Sequence, residues 1–160
     1  MHRIFAIDPG VTTGYCFASF GENGRLVLTP GENRFSLDAF YIMLESICKV
    51  QDDNVHIIYE DFQYRNYARM GLDLTPVKVI GIIELMQERY EPFVTFTKQS
   101  AATGKAFYSD DRLKTLGIYP KGVKHGRDAM RHLLQWLNFG GGGQYINVNE
   151  VQMELALEES

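Results

Sequence analysis

The sequence predicts an α/β domain: a mixed five-stranded β-sheet, three antiparallel strands continued by parallel ones, with helices on both faces. Three observations carry this expectation. Residues 3–7 and 55–59 are short, largely apolar runs of buried-strand length, and each stops on an acid, Asp8 and Glu60. Gly21-Glu22-Asn23-Gly24 is a turn sequence between two further β-type runs, which suits a hairpin. Beyond residue 36 helical periods alternate with strand segments, the order that crossover connections demand.

The elements follow in order. Strands over 3–8, 14–20 and 25–29 make a meander. Ser36 caps a helix over 37–50, with Leu37, Phe40, Tyr41, Leu44 and Ile47 at helical spacing, and the chain returns to a strand over 55–59. Pro76 opens a second helix through residue 89, and Pro92 introduces a strand over 93–96. A short helix over 110–116, capped by Asp110 and Asp111, precedes a longer one over 124–137. Gly140-Gly141-Gly142-Gly143 reads as a helix stop and joint. It is no phosphate cradle, because no Lys-Ser/Thr pair follows. The expected division is a domain over 1–140, then a Gly-rich joint and a peripheral acidic tail over 141–160.

Composition bounds the function. With 160 residues and 45% hydrophobic content the chain builds one real core. No leader-like segment and no apolar stretch of about 20 residues is present, so the expectation is a cytoplasmic protein without a membrane partner. Cys16 and Cys48 lack metal-type spacing and read as buried, reduced thiols. The net charge of −4 argues against a nucleic-acid partner, yet its distribution does not. Lys98, Lys105, Arg112, Lys114, Lys121, Lys124, Arg127 and Arg131 outnumber Asp110, Asp111 and Asp128 in one region, while Glu150, Glu154, Glu158 and Glu159 load the tail.

The basic region adjoins a candidate site. Asp8 and Glu60 stand at strand ends, and His125 and Asp128, three apart, share one face of the last helix. Hydrolysing a phosphodiester requires an activated water, charge relief in the transition state and stabilisation of the leaving oxygen. Two divalent cations roughly 4 Å apart supply all three. Such ions want oxygen ligands on rigid elements, which this pattern offers. Asp8 is placed to bridge both ions, Glu60 to hold one, and His125 with Asp128 to hold the other. Asp61 should point to the opposite face of its strand from Glu60.

Ile7-Asp8-Pro9-Gly10 with Thr12-Thr13-Gly14, Tyr59-Glu60-Asp61-Phe62 with Tyr64-Arg65-Asn66, and His125-Gly126-Arg127-Asp128-Ala129 resemble, in order and spacing, the RuvC family of Holliday junction resolvases. The likeness runs to about residue 138. It implies an RNase H-like fold, a homodimer, and paired nicks in a four-way DNA junction that leave 5′-phosphate and 3′-hydroxyl ends. It also implies Mg2+ as cofactor and Asp8, Glu60, His125 and Asp128 as metal-binding catalytic residues. Many members carry an acid at the place of His125. A softer imidazole there lets Mn2+ substitute or be preferred.

For DNA contacts, Tyr64, Arg65, Asn66, Tyr67 and Arg69 interleave aromatic and basic side chains directly after Glu60, suited to stacking on bases and gripping phosphates at a branch point. Lys98, Lys105, Lys121, Lys124 and Arg127 are phosphate-contact candidates by charge and position. No organic cofactor is indicated. Two other classes stay open: an RNase H-like nuclease acting on RNA–DNA hybrids or flapped DNA, and a catalytically silent nucleic-acid-binding protein of the same fold. A sugar-kinase or actin-like ATPase is excluded by length.

Overall fold

The computed structural model describes residues 2–50, 54–62, 73–141, 147 and 150–156. β1 (His2–Asp8), β2 (Thr13–Phe20) and β3 (Leu26–Asn33) form the antiparallel meander. Its hairpin turns at Gly24, whose φ of 74° lies in the left-handed region that glycine enters freely. α1 (Leu37–Cys48) is capped by the Ser36 hydroxyl, which accepts from the Ala39 amide at 3.1 Å, and leads into β4 (Asn54–Glu60), parallel to β1. α2 (Thr75–Tyr90) leads to β5 (Val94–Gln99), parallel to β4. Then come α3 (Ala101–Phe107), α4 (Asp110–Thr115), α5 (Lys124–Phe139) and β6 (Met153–Leu155), giving a six-stranded sheet in the order β5-β4-β1-β2-β3-β6.

Strand pleating divides the core into two layers. Phe5, Ile7, Tyr15, Val55, Ile57 and Tyr59 face α1 and α2, meeting Phe40, Leu44, Ile80, Ile83 and Met86. Ile4, Ala6, Cys16, Ala18 and Ile58 face the other way, under Met130, Leu133, Leu134 and Leu137 of α5. Both cysteines are free and buried, and burial pushes both thiols up, which keeps them unreactive. Among the described residues no helix is long and apolar enough to cross a membrane.

The mixed sheet with helices on both faces is as expected; the helix α3 is an addition, and further details differ. The tail supplies a sixth strand: Leu26 donates to the Gln152 carbonyl at 2.9 Å and Ala156 to that of Leu28 at 2.8 Å, while Met153 and Leu155 pack on the core. β3 continues through Pro30 and Gly31, beyond the reach of β6, so the missing proline donor falls where the sheet is already an edge. The cap of α4 is Ser109, whose hydroxyl accepts from the Arg112 amide at 3.2 Å; Asp110 and Asp111 fall in its first turn. Asp110 is turned instead toward Arg127 and Arg131.

Candidate active site

Asp8 and Glu60 end the adjacent parallel strands β1 and β4, one residue beyond the Ile7–Tyr59 register pair. Pleating puts both on the α5 face, because Ala6 and Ile58, two residues earlier, already lie in that layer. The first turn of α5 comes down on the same spot. Its backbone touches the sheet: a Cβ on Gly14 would lie 2.1 Å from the His125 carbonyl oxygen, and one on Gly126 would lie 2.6 Å from that of Gly31. Glycine at these positions removes the side-chain layer that normally separates helix from sheet. The approach brings His125 Nδ1 to 3.5 Å from Asp8 Oδ2, and places Asp128 on the inner face.

Val123 at the N-cap of α5 offers no side-chain acceptor. Glu32 of β3 replaces it, its carboxylate accepting from the His125 amide at 2.7 Å, where the positive end of the helix favours an anion. Glu32→Ala is expected to lower stability by about 1 kcal/mol, the usual effect of losing such a cap. Urea unfolding checks it, and an unchanged midpoint would show that solvent caps this helix equally well.

Each carboxylate has internal partners. Asp128, nearly buried, receives Arg131 at 2.5 Å and has Lys105 of α3 at 3.6 Å. Arg131 also holds Asp110 and the Tyr108 carbonyl, tying α5 to α4. Glu60 Oε2 lies 2.8 Å from Nε2 of His132, whose Nδ1 lies 2.8 Å from Gln99 Oε1. Asp8 is the least compensated. Burial first, then the charges of Glu60 and Asp128, push its carboxyl up from 3.8 to about 7, against the opposing pull of His132 and Lys105.

Among the described residues no three His, Cys, Asp or Glu side chains stand round one point as metal ligands do. Asp128 is turned to Arg131 and Lys105, and Glu60 to His132. The donor set fits a hard divalent cation in its chemistry: three carboxylates from three rigid elements, whose mutual repulsion adds to burial in raising the Asp8 carboxyl, with a half-exposed imidazole beside them. A cation would relieve that repulsion.

The structure therefore brings Asp8, Glu60, His125 and Asp128 into one cluster. Lys105 borders it, and Lys121 and Lys124 are exposed at the approach to α5. Lys98 faces Asp61 across the other side of the β4 and β5 ends, 4.0 Å away. Arg127 is largely shielded, its guanidinium over the Tyr119 ring and 3.4 Å from Asp110. Tyr64, Arg65, Asn66, Tyr67 and Arg69 lie outside the described residues. Three residues of the cluster were not among the site residues expected from the sequence: Arg131, named only in the basic region, His132 and Gln99. The first two stand three and four positions after Asp128, so helical spacing was an available signal; for Gln99 only the register with Glu60 gives it away.

The fold is the RNase H-like one in its RuvC-like form, and the cluster occupies the carboxyl ends of its two central parallel strands. RuvC of Thermus thermophilus in complex with a Holliday junction substrate is similar to this chain with a TM-score of 0.57 and 15% identity, over 83% of this chain and 91% of that one. A second Thermus thermophilus RuvC structure gives 0.55 and 17%, over 83% and 92%, and the yeast mitochondrial Holliday junction resolvase 0.51 and 12%, over 90% and 81%. No family model matches the sequence, and no curated protein sequence does.

Proposed function

We propose that this protein is a metal-dependent, structure-selective endonuclease that resolves four-way DNA junctions, and related branched DNA, by paired nicks. The observation that carries the reading is the Asp8 environment: burial, together with the charges of Glu60 and Asp128 from β4 and α5, raises its carboxyl to about 7. A protein that only binds DNA gains nothing from that repulsion. The likeness of the fold to the RuvC and yeast mitochondrial Holliday junction resolvase structures supports the reading by analogy.

Asp8, Glu60, His125 and Asp128 would hold two divalent cations, Mg2+ or Mn2+, which supply an activated water and charge relief at the scissile phosphate. The chain's own residues do the rest. Asp8, coupled to Glu60 and Asp128 and 3.5 Å from His125, would be one of the ligands and would have to give up its proton before serving. Lys105, half exposed and 3.6 Å from Asp128, pairs with that acid and is free to turn to a phosphate oxygen. Lys121 and Lys124 extend positive charge outward from the start of α5. Tyr64, Arg65, Asn66, Tyr67 and Arg69 follow Glu60 closely in sequence and would meet the branch point, and Lys98 would reinforce a flanking contact, whereas the shielded Arg127 is held by Tyr119 and Asp110. Paired nicks require two sites, hence a homodimer, for which α1 and α2 expose Leu37, Ile42 and Leu85 beside their core-facing residues.

A labelled four-way junction, a linear duplex and an RNA–DNA hybrid, each incubated with Mg2+ or Mn2+, separate the possibilities. Opposed nicks in the junction, with 5′-phosphate ends, are expected for the wild type and lost in His125→Ala. Cleavage of the hybrid alone would replace this reading with a ribonuclease. Tight junction binding without cleavage would replace it with a silent scaffold.

A further inference from the structure

His132 is 1% exposed, one helical turn beyond Asp128 on α5, and both its ring nitrogens are engaged. The amide of Gln99 settles which nitrogen does what. Gln99 Nε2 lies 3.2 Å from the backbone carbonyl of His132, an atom that can only accept, so the amino end of the side chain must face it. Its Oε1 is thereby turned to His132 Nδ1, 2.8 Å away, which must carry a hydrogen. The remaining nitrogen, Nε2, meets Glu60 Oε2 at 2.8 Å. A bare imidazole nitrogen and a carboxylate oxygen both accept, so a contact this short holds a proton between them. Glu60 is thus gripped by a charge-assisted hydrogen bond from a ring that cannot rotate, because Gln99 fixes its far side at two points.

We propose that His132, oriented by Gln99, is a positioning residue that commits Glu60 Oε2 to itself and so presents the other carboxylate oxygen to a divalent cation. The inference rests on the metal-dependent reading above. A core histidine satisfied by backbone groups would do no such thing. What sets His132 apart is that its partner is a site carboxylate, and that Gln99, in register with Glu60 at the adjacent strand end, spends both ends of its amide on it. Ligand carboxylates whose outer hydrogen-bond partners are removed typically lose about 10–100-fold in metal affinity.

Two conservative variants of the full chain divide the ring's functions. His132→Gln puts an amide nitrogen where Nε2 was and keeps the bond to Glu60; His132→Asn reaches only as far as Nδ1 and keeps the bond to Gln99. Mn2+ affinity is measured by titration calorimetry beside thermal unfolding without metal. Asn is expected to weaken Mn2+ binding about tenfold or more, and Gln to leave it within about threefold, at similar unfolding midpoints. Equal Mn2+ affinity in the two variants overturns the proposal. If Asn does not fold, Gln99→Met, which leaves the ring but frees it to turn, is expected to weaken Mn2+ binding several-fold, and wild-type affinity there overturns the proposal equally. A wild type that binds no Mn2+ would instead sink the metal-dependent function itself.

Discussion

Asp8→Asn is expected to abolish cleavage while raising the thermal midpoint of the metal-free protein at pH 8. The carboxyl of Asp8 sits at about 7 in the folded chain against 3.8 when free in solution. Between those values the native state binds more protons than the unfolded one, so this group's contribution to stability is fully present below pH 3.8 and lost as pH rises through 7. At roughly 1.4 kcal/mol per pH unit the full displacement corresponds to about 4 kcal/mol, and relaxation around a partly exposed cleft lowers that to about 2–4. Asparagine keeps the shape without the charge. The midpoint should rise by about 5–10 °C at pH 8 and hardly at all at pH 4. Unfolding scans in a chelator at both pH values check it. A lower midpoint at pH 8 would mean that Asp8 is anchored by bonds its neighbours supply, and that the crowding has been relieved another way.

The same electrostatics predict the effect of a cation. Mg2+ or Mn2+ should raise the wild-type midpoint and leave that of Asp8→Asn nearly unchanged, because only the wild type carries the charge that the ion compensates. Protons and cations compete for Asp8, so cation affinity should climb with pH up to about 7 and level off above it. Loss of stability in the empty site is thus the counterpart of affinity in the loaded one.

The parts of this molecule that were legible in its sequence are those with a long or sharply bounded signal. Apolar runs that stop on Asp8 and Glu60 located two central strand ends, and pleating alone then put both acids on one face. The three-residue step from His125 to Asp128 located the helix face that meets them. α3 stayed hidden because Ala101–Phe107 is short and has Gly104 in its middle, a poor helix former kept small because a Cβ there would come within 3.2 Å of Arg131 Cβ. β6 is three residues in an acidic tail, too short for any period to register, and only its pairing with β3 makes it a strand. The compensation of the acids was equally invisible. That Asp110 serves Arg131 and Arg127, and that Gln99 and His132 serve Glu60, depends on distances between elements remote in the chain.

Gly14→Ala should abolish the proposed cleavage by moving a helix. The added methyl would lie 2.1 Å from the carbonyl oxygen of His125, 2.2 Å from its carbon and 2.8 Å from the amide nitrogen of Gly126, all backbone atoms with no rotamer to escape into. β2 is held on both sides by β1 and β3, so the first turn of α5 must retreat. That turn carries His125 and Asp128, while Asp8 and Glu60 stay on the sheet. Overpacking of this kind typically costs about 1–3 kcal/mol, here near the upper end because nothing flexible can yield. A displacement of the order of 1 Å in a catalytic group costs about 100-fold in rate, so cleavage should fall by at least that much in a protein that still folds. Gly81→Ala is the control: nothing lies within 4 Å of its Cβ, it sits in the interior of α2, and alanine there should stabilise slightly and leave cleavage alone. Junction cleavage and circular dichroism on the two variants read the contrast. Wild-type cleavage by Gly14→Ala would show that the contact between α5 and β2 does not assemble the site, and that the four side chains reach their working positions only with DNA and cation bound.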